Sequence, residues 1–179
     1  MYLYTSVSQM ESACIPSSSH TLNGKWNLYY HLPQDNNWSL SSYTVLMDSI
    51  DTLESIVSLN KKIHENVIKN CMLFVMRKGI TPMWEDQQNR HGGCFSYKVT
   101  NKHVPEVWKT LFCLMCGESL TVKDEHSKFI NGITISPKKN FCIIKIWLKT
   151  SDLQDPNIIV NINNLSKQGC LFKKHEPEF

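Results

Sequence analysis

The chain has 179 residues and a formal net charge of +3, with 41% hydrophobic and 20% charged residues. That composition excludes a disordered chain and suits one domain with a sizeable core, on which any basic surface must be local. No run is apolar enough to span a membrane and no basic-then-apolar leader opens the sequence, so a soluble cytoplasmic protein is expected. The seven cysteines are odd in number and scattered, which suits reduced thiols. Cys113-Leu-Met-Cys116 is a lone CxxC in an apolar run; without a second pair it is expected in the core, with no metal and no cofactor.

Residues 1–19 are Ser-rich and aperiodic and are expected to form a flexible arm before a domain over 20–175, with 176–179 as a short tail. Gly24–His31 alternates aromatic and polar residues, a strand signal; Pro33–Asn37 is turn chemistry, Trp38 follows it, and Tyr43–Met47 is a second strand. Asp51 as N-cap with Glu54 three places on predicts a helix of about fourteen residues, its buried stripe formed by Leu53, Ile56, Val57, Leu59 and Ile63. Cys71–Met76 is a compact buried strand. Gly92-Gly93 makes a turn into a strand over Cys94–Val99, and Pro105 starts an apolar helix that Gly117 ends. Phe129–Ile135 and Phe141–Lys149 form a hairpin around Pro137–Asn140. Asp155-Pro156 predicts a last helix to about Lys167, and Cys170–Lys174 a final edge strand. Strands with three interspersed helices argue an α+β fold on an antiparallel sheet.

The stretch richest in chemistry is Gly79-Ile80-Thr81-Pro82-Met83-Trp84-Glu85-Asp86, running on to Gly92-Gly93. Pro82 and Gly79 punctuate it as a loop, where a large flat ring is available to a ligand. Glu85 follows Trp84 directly, so a hydrogen-bond acceptor lies at the edge of whatever stacks on the indole. That pairing suits a flat cationic base with N–H donors. Asp86 is expected to stabilise the turn, and Trp26 and Trp108, within periodic apolar patterns, to be core.

Taken with Trp26-Asn-Leu-Tyr-Tyr, Asn37-Trp38, Asp51-Thr-Leu-Glu54, Gly117-Glu-Ser119 and Ile144-x-Ile146-Trp147 in register, this block resembles the messenger-RNA cap-binding translation initiation factor 4E family over about residues 20–175. The resemblance implies a curved eight-stranded antiparallel sheet, three helices on its convex face and a cap slot on the concave side. Trp38 and Trp84 match the two rings that sandwich 7-methylguanine. Stacking is worth roughly 1–3 kcal/mol per base and a desolvated cation–π pair about 2 kcal/mol. Glu85 would accept from the guanine N1–H and amine, and Trp147 would line the methyl side.

The phosphate side departs from the family. Lys138 aligns with its phosphate-binding arginine and Lys139 lies beside it, while two further basic positions fall on Asn140 and Ile143 and the one after the Gly-Gly turn on Cys94. Lys145 shares a strand face with Trp147 and would supply missing charge. The back surface departs too: the family's scaffold-binding tryptophan aligns with Val57, near Leu53, and its acidic contact with Lys109 or Thr110. The implied partners are capped mRNA and a scaffold factor of the 4G type or a divergent equivalent, bound through a helix on the convex face, with the chain monomeric outside that complex. These departures suggest a divergent or virus-encoded member. A cap-binding repressor and a cap-independent single-stranded RNA-binding module remain open; an enzyme is not expected, because the histidines show no ligand spacing and Glu85-Asp86 is the only acidic pair near the slot.

Overall fold

Why one sheet carries two apolar clusters follows from the period of its strands. The computed structural model describes residues 19–177; residues 1–18 of the arm expected over 1–19 and the last two residues of the tail lie outside them. The strands are β1 (Thr21–His31), β2 (Thr44–Thr52), β3 (Met72–Arg77), β4 (Gly93–Thr100), β5 (Ile130–Pro137), β6 (Phe141–Leu148) and β7 (Leu171–Lys174). They form one curved antiparallel sheet in the order β2-β1-β3-β5-β6-β4-β7. Successive side chains point to opposite faces, so Leu73, Val75, Ile144, Ile146 and Leu148 join the main core, while Phe74, Met76 and Trp147 join a second cluster with Tyr29 and Ile80.

The main core is covered by the helices α1 (Leu53–Lys62), α2 (Glu65–Asn70) and α3 (Val104–Cys116), with a single-turn α4 (Asp124–Ser127) after them. Ile56, Leu59, Ile68, Trp108, Leu111 and Phe112 fill the space between helices and sheet. One face of the sheet is therefore covered by helices, and the second cluster opens on the other face. Trp26 is wholly buried, as expected, and Arg77 lies 4.5 Å over its ring while donating to Glu118 at 2.8 Å. Glu118 of the Gly-Glu-Ser motif thus closes the helix side of β1 and β3.

Four expectations are corrected. The sheet has seven strands among the described residues rather than eight. The N-cap of α1 is Thr52, whose hydroxyl accepts from the Ser55 N–H, because Asp51 is drawn to Lys25 (3.2 Å) and Glu54 to the backbone and ring of His20. That helix stops at Lys62, and His64 caps the separate α2; Leu53 and Val57, counted in its buried stripe, are 47% and 41% exposed. The last helix does not form. Asp155 caps a 3-10 turn over Pro156–Ile158 as its side chain accepts from Asn157, but the following β-branched and Asn residues have weak helix propensity, and Asn164 adopts a positive φ of 64°. The edge strand and the β5–β6 hairpin form as expected, the latter closed by the Lys138 N–H donating to the Phe141 carbonyl.

Candidate functional site

The loop joining β3 to β4 is built around two polar side chains. Gly79 turns it with a φ of 88°. Asp86 accepts from the backbone N–H (2.7 Å) and hydroxyl (2.8 Å) of Thr81 and from the Gln88 N–H (2.8 Å), which closes the turn beneath Trp84 and Glu85. Asn89, wholly buried, donates to the carbonyls of Thr81 and Met83 and accepts from Asn131 on β5. A buried amide satisfied on both sides fixes the loop to the sheet. Gly92 closes the loop flat against the Leu148 carbonyl, where any Cβ would collide. Trp84 is thereby held half-buried over the open face, packed against the cluster that contains Trp147. Glu85 next to it is exposed.

On the far side of the open face, Trp38 stands 50% exposed on the β1–β2 loop. Its ring lies parallel to that of His31, with centroids 4.3 Å apart and planes within 2°. His31 is wholly buried at the end of β1, and its Nε2–H donates to the Asn37 carbonyl at 2.9 Å. The histidine therefore holds both the ring and the backbone beside it, and its buried Nδ1 has no hydrogen-bond partner among the described residues. Tyr43 bridges the two halves: it lies 6.5 Å from Trp38 and packs edge-on against Phe74 of the second cluster. Burial, and then the charge of Glu85, push the Tyr43 phenol up to about 12, so Tyr43 presents a neutral hydroxyl near that carboxylate.

Trp147, buried on β6, donates from its indole N–H to the Thr134 hydroxyl at 2.7 Å. His175 lies against Trp147 (centroids 4.8 Å apart) and stacks on Trp84 at 5.4 Å. Its Nδ1–H donates to the Asn89 carbonyl, and its buried Nε2 has no hydrogen-bond partner among the described residues. Burial lowers the affinity of His175 for a proton, the positive charge of Lys145 adds to this, and the Asn89 carbonyl and Glu85 pull the other way. Lys173 completes the surround, its ammonium 5.0 Å over the Trp84 ring.

The open face thus gathers Trp38, Trp84, Glu85 and Trp147. Lys145 lies on the same face of β6, partly exposed, while Lys138 and Lys139 are exposed in the β5–β6 turn at the other end of the hairpin. Leu53 and Val57 are exposed on α1. Lys109 is on α3, whose backbone carbonyl at that residue receives a hydrogen bond from Asn60 of α1, so the three share the helix-covered face. His31, Lys173 and His175 went unsuspected in the sequence. The only local signal for them was the alternation of the two flanking strands.

Residues 21–177 match the family model described as Eukaryotic initiation factor 4E. The chain is 32% identical over 160 residues to eukaryotic translation initiation factor 4E of Eremothecium gossypii, covering 86% of this chain and 70% of that protein. It is 45% identical over 62 residues to the initiation factor 4E homolog of Acanthamoeba polyphaga mimivirus, which is 35% of this chain and 23% of that protein. Among solved structures, the complex of C. elegans eIF4E-3 with the 4E-binding protein Mextli and cap analog is similar in fold, with a TM-score of 0.72 at 21% identity over 90% of this chain and 99% of that one.

Proposed function

Because this chain belongs to the eukaryotic initiation factor 4E family, we propose that it is a non-enzymatic, cytoplasmic cap-binding protein that recruits mRNA for translation through a scaffold partner. The 7-methylguanine base stacks between Trp38 and Trp84, Glu85 accepts from its N1–H and amine, and Trp147 closes the methyl side. Lys138, Lys139 and Lys145 attract the phosphates. The observation that carries this reading is the braced loop that presents Trp84 and Glu85 together beside Trp147. A ring and an ionised acceptor held in one geometry bind a cationic base without first paying the entropy of ordering the loop.

The relatives support both halves of the proposal. Solved complexes of Ascaris suum eIF4E-3 with m7G cap and of schistosome eIF4E with m7GpppG and 4E-BP are similar in fold to this chain. The scaffold would lay an amphipathic helix across α1, where Leu53 and Val57 are exposed and Lys109 lies alongside. With Val57 in place of a large aromatic ring, binding of that helix should be weak.

Tryptophan fluorescence quenching by 7-methyl-GTP against GTP tests the slot. Quenching should favour the methylated nucleotide, and Glu85→Ala should weaken it on the order of tenfold or more, as for loss of hydrogen bonds to a charged acceptor. Equal responses to the two nucleotides in the wild type would refute the reading.

A further inference from the structure

We propose that Lys173 is a phosphate ligand of this slot and makes its grip depend on the phosphates that follow the base; this rests on Trp84 being a stacking wall. The register of three strands brings the residues together. Cys94 on β4 pairs with Trp147 on β6 and with Lys173 on β7. Residues directly opposite one another in antiparallel strands share a face, so Trp147, Cys94 and Lys173 form one row across the open side. Lys145 lies one row away, opposite Ser96. Across the open-face positions of β4, β6 and β7 the charged side chains are Lys98, Lys145 and Lys173, all positive. Among the described residues neither Lys145 nor Lys173 joins an ion pair.

Between the two lysines the chain places a thiol that carries no charge. Cys94 is buried, and burial raises its pKa although Lys145 and Lys173 pull it down. The positive charge around Cys94 is therefore delivered from the flanking strands, by Lys173 in its own row and Lys145 in the next. Lys173 is the nearer to the stacking wall, with its ammonium 5.0 Å over the Trp84 ring.

That contact has a chemical consequence. A 7-methylguanine base brings delocalised positive charge to the same indole, so the nearby ammonium repels it. A nucleoside ligand meets this repulsion uncompensated. A nucleotide supplies phosphate oxygens that the flexible ammonium can turn to, converting a like-charge clash into a charge-assisted hydrogen bond. Lys173 therefore penalises the bare base and rewards the phosphorylated one.

The test compares 7-methylguanosine with 7-methyl-GTP on the full chain, as wild type, Lys173→Gln and Lys173→Arg. Lys173 is exposed on an edge strand, so neither change should disturb folding. Lys173→Gln should weaken 7-methyl-GTP about fivefold or more, with no loss for 7-methylguanosine. It should also reduce the slope of log affinity against log salt by about one, and Lys173→Arg should restore both. Equal loss for the two ligands, meaning that Lys173 only steadies Trp84, or no loss for 7-methyl-GTP, would overturn the proposal. A wild type that does not prefer 7-methyl-GTP to GTP would sink the slot reading and this one with it. Methyl preference with an unchanged nucleotide-to-nucleoside ratio in Lys173→Gln would sink this one alone.

Discussion

Trp38 and Trp84, both on the open side of the sheet, are held in opposite ways. Trp84 rides on a loop cross-braced by Asp86, Asn89 and Asn131, so its position is fixed by hydrogen bonds to backbone and sheet. Trp38 is half exposed, and its principal support is one buried ring, His31, which stacks beneath it and tethers the carbonyl of Asn37. The rest of the Trp38 loop is held by short-range turns, in which Asp35 accepts from the Asn37 N–H and Asn37 from the Ser39 N–H. One ring is set by a hydrogen-bonded loop built into the fold; the other leans chiefly on one buried histidine. In the proposed slot, Glu85 is registered by the braced loop, whereas Trp38 depends chiefly on His31.

Breaking the braced wall should have the largest effect. Asn89→Ala removes the donor to the carbonyls of Thr81 and Met83 and one of the two acceptors of the Asn131 amide, so unfolding in urea should show a loss on the order of 3 kcal/mol, with 7-methyl-GTP affinity falling too. Breaking the other wall should separate binding from stability more cleanly. His31→Ala should weaken 7-methyl-GTP several-fold, whereas His31→Phe, which keeps a flat ring under Trp38, should recover most of it; parallel titrations of the two variants decide this. Equal losses would assign the support to the Asn37 hydrogen bond rather than to the stack.

The smallest effect expected is on pH dependence, and it concerns the braced wall again. The His175 imidazole is held below its ordinary value of about 6.5, chiefly by burial. Between that value and the lower folded one the unfolded chain binds more protons than the folded chain, so stability rises with pH there. The contribution of neutral His175 is full above the ordinary value and is lost as pH falls towards the folded one. Urea midpoints of the wild type should therefore drop on acidification from neutral, and His175→Gln should flatten part of that slope. The Trp38 side should not contribute to the difference between the two proteins.

The same contrast explains what was legible beforehand. The Trp84 loop announced itself locally, because Gly79, Pro82, Asp86 and the glycine pair are turn chemistry that needs only neighbours in sequence. The Asp86 bonds to Thr81 and Gln88 span few residues, and the expectation that Asp86 shapes the turn is what the structure contains. The expected N-cap failed at Asp51 because Lys25, on the neighbouring strand, competes for that carboxylate. The expected last helix failed because capping signals at Asp155 and Pro156 cannot carry a run of β-branched and Asn residues.

By itself, then, the sequence determined the strand alternation that splits the sheet into a covered and an open face, the loop that carries Trp84 and Glu85, and the family these motifs resemble. Each depends on a period or a spacing of a few residues. What only the tertiary structure decided is the company the tryptophans keep: His31 under Trp38, and Lys173 and His175 around Trp84. Those last contacts join residues about ninety positions apart through the pairing of β7 with β4. Strand order in an antiparallel sheet follows from how whole faces bury one another, so no local pattern along the chain encodes it.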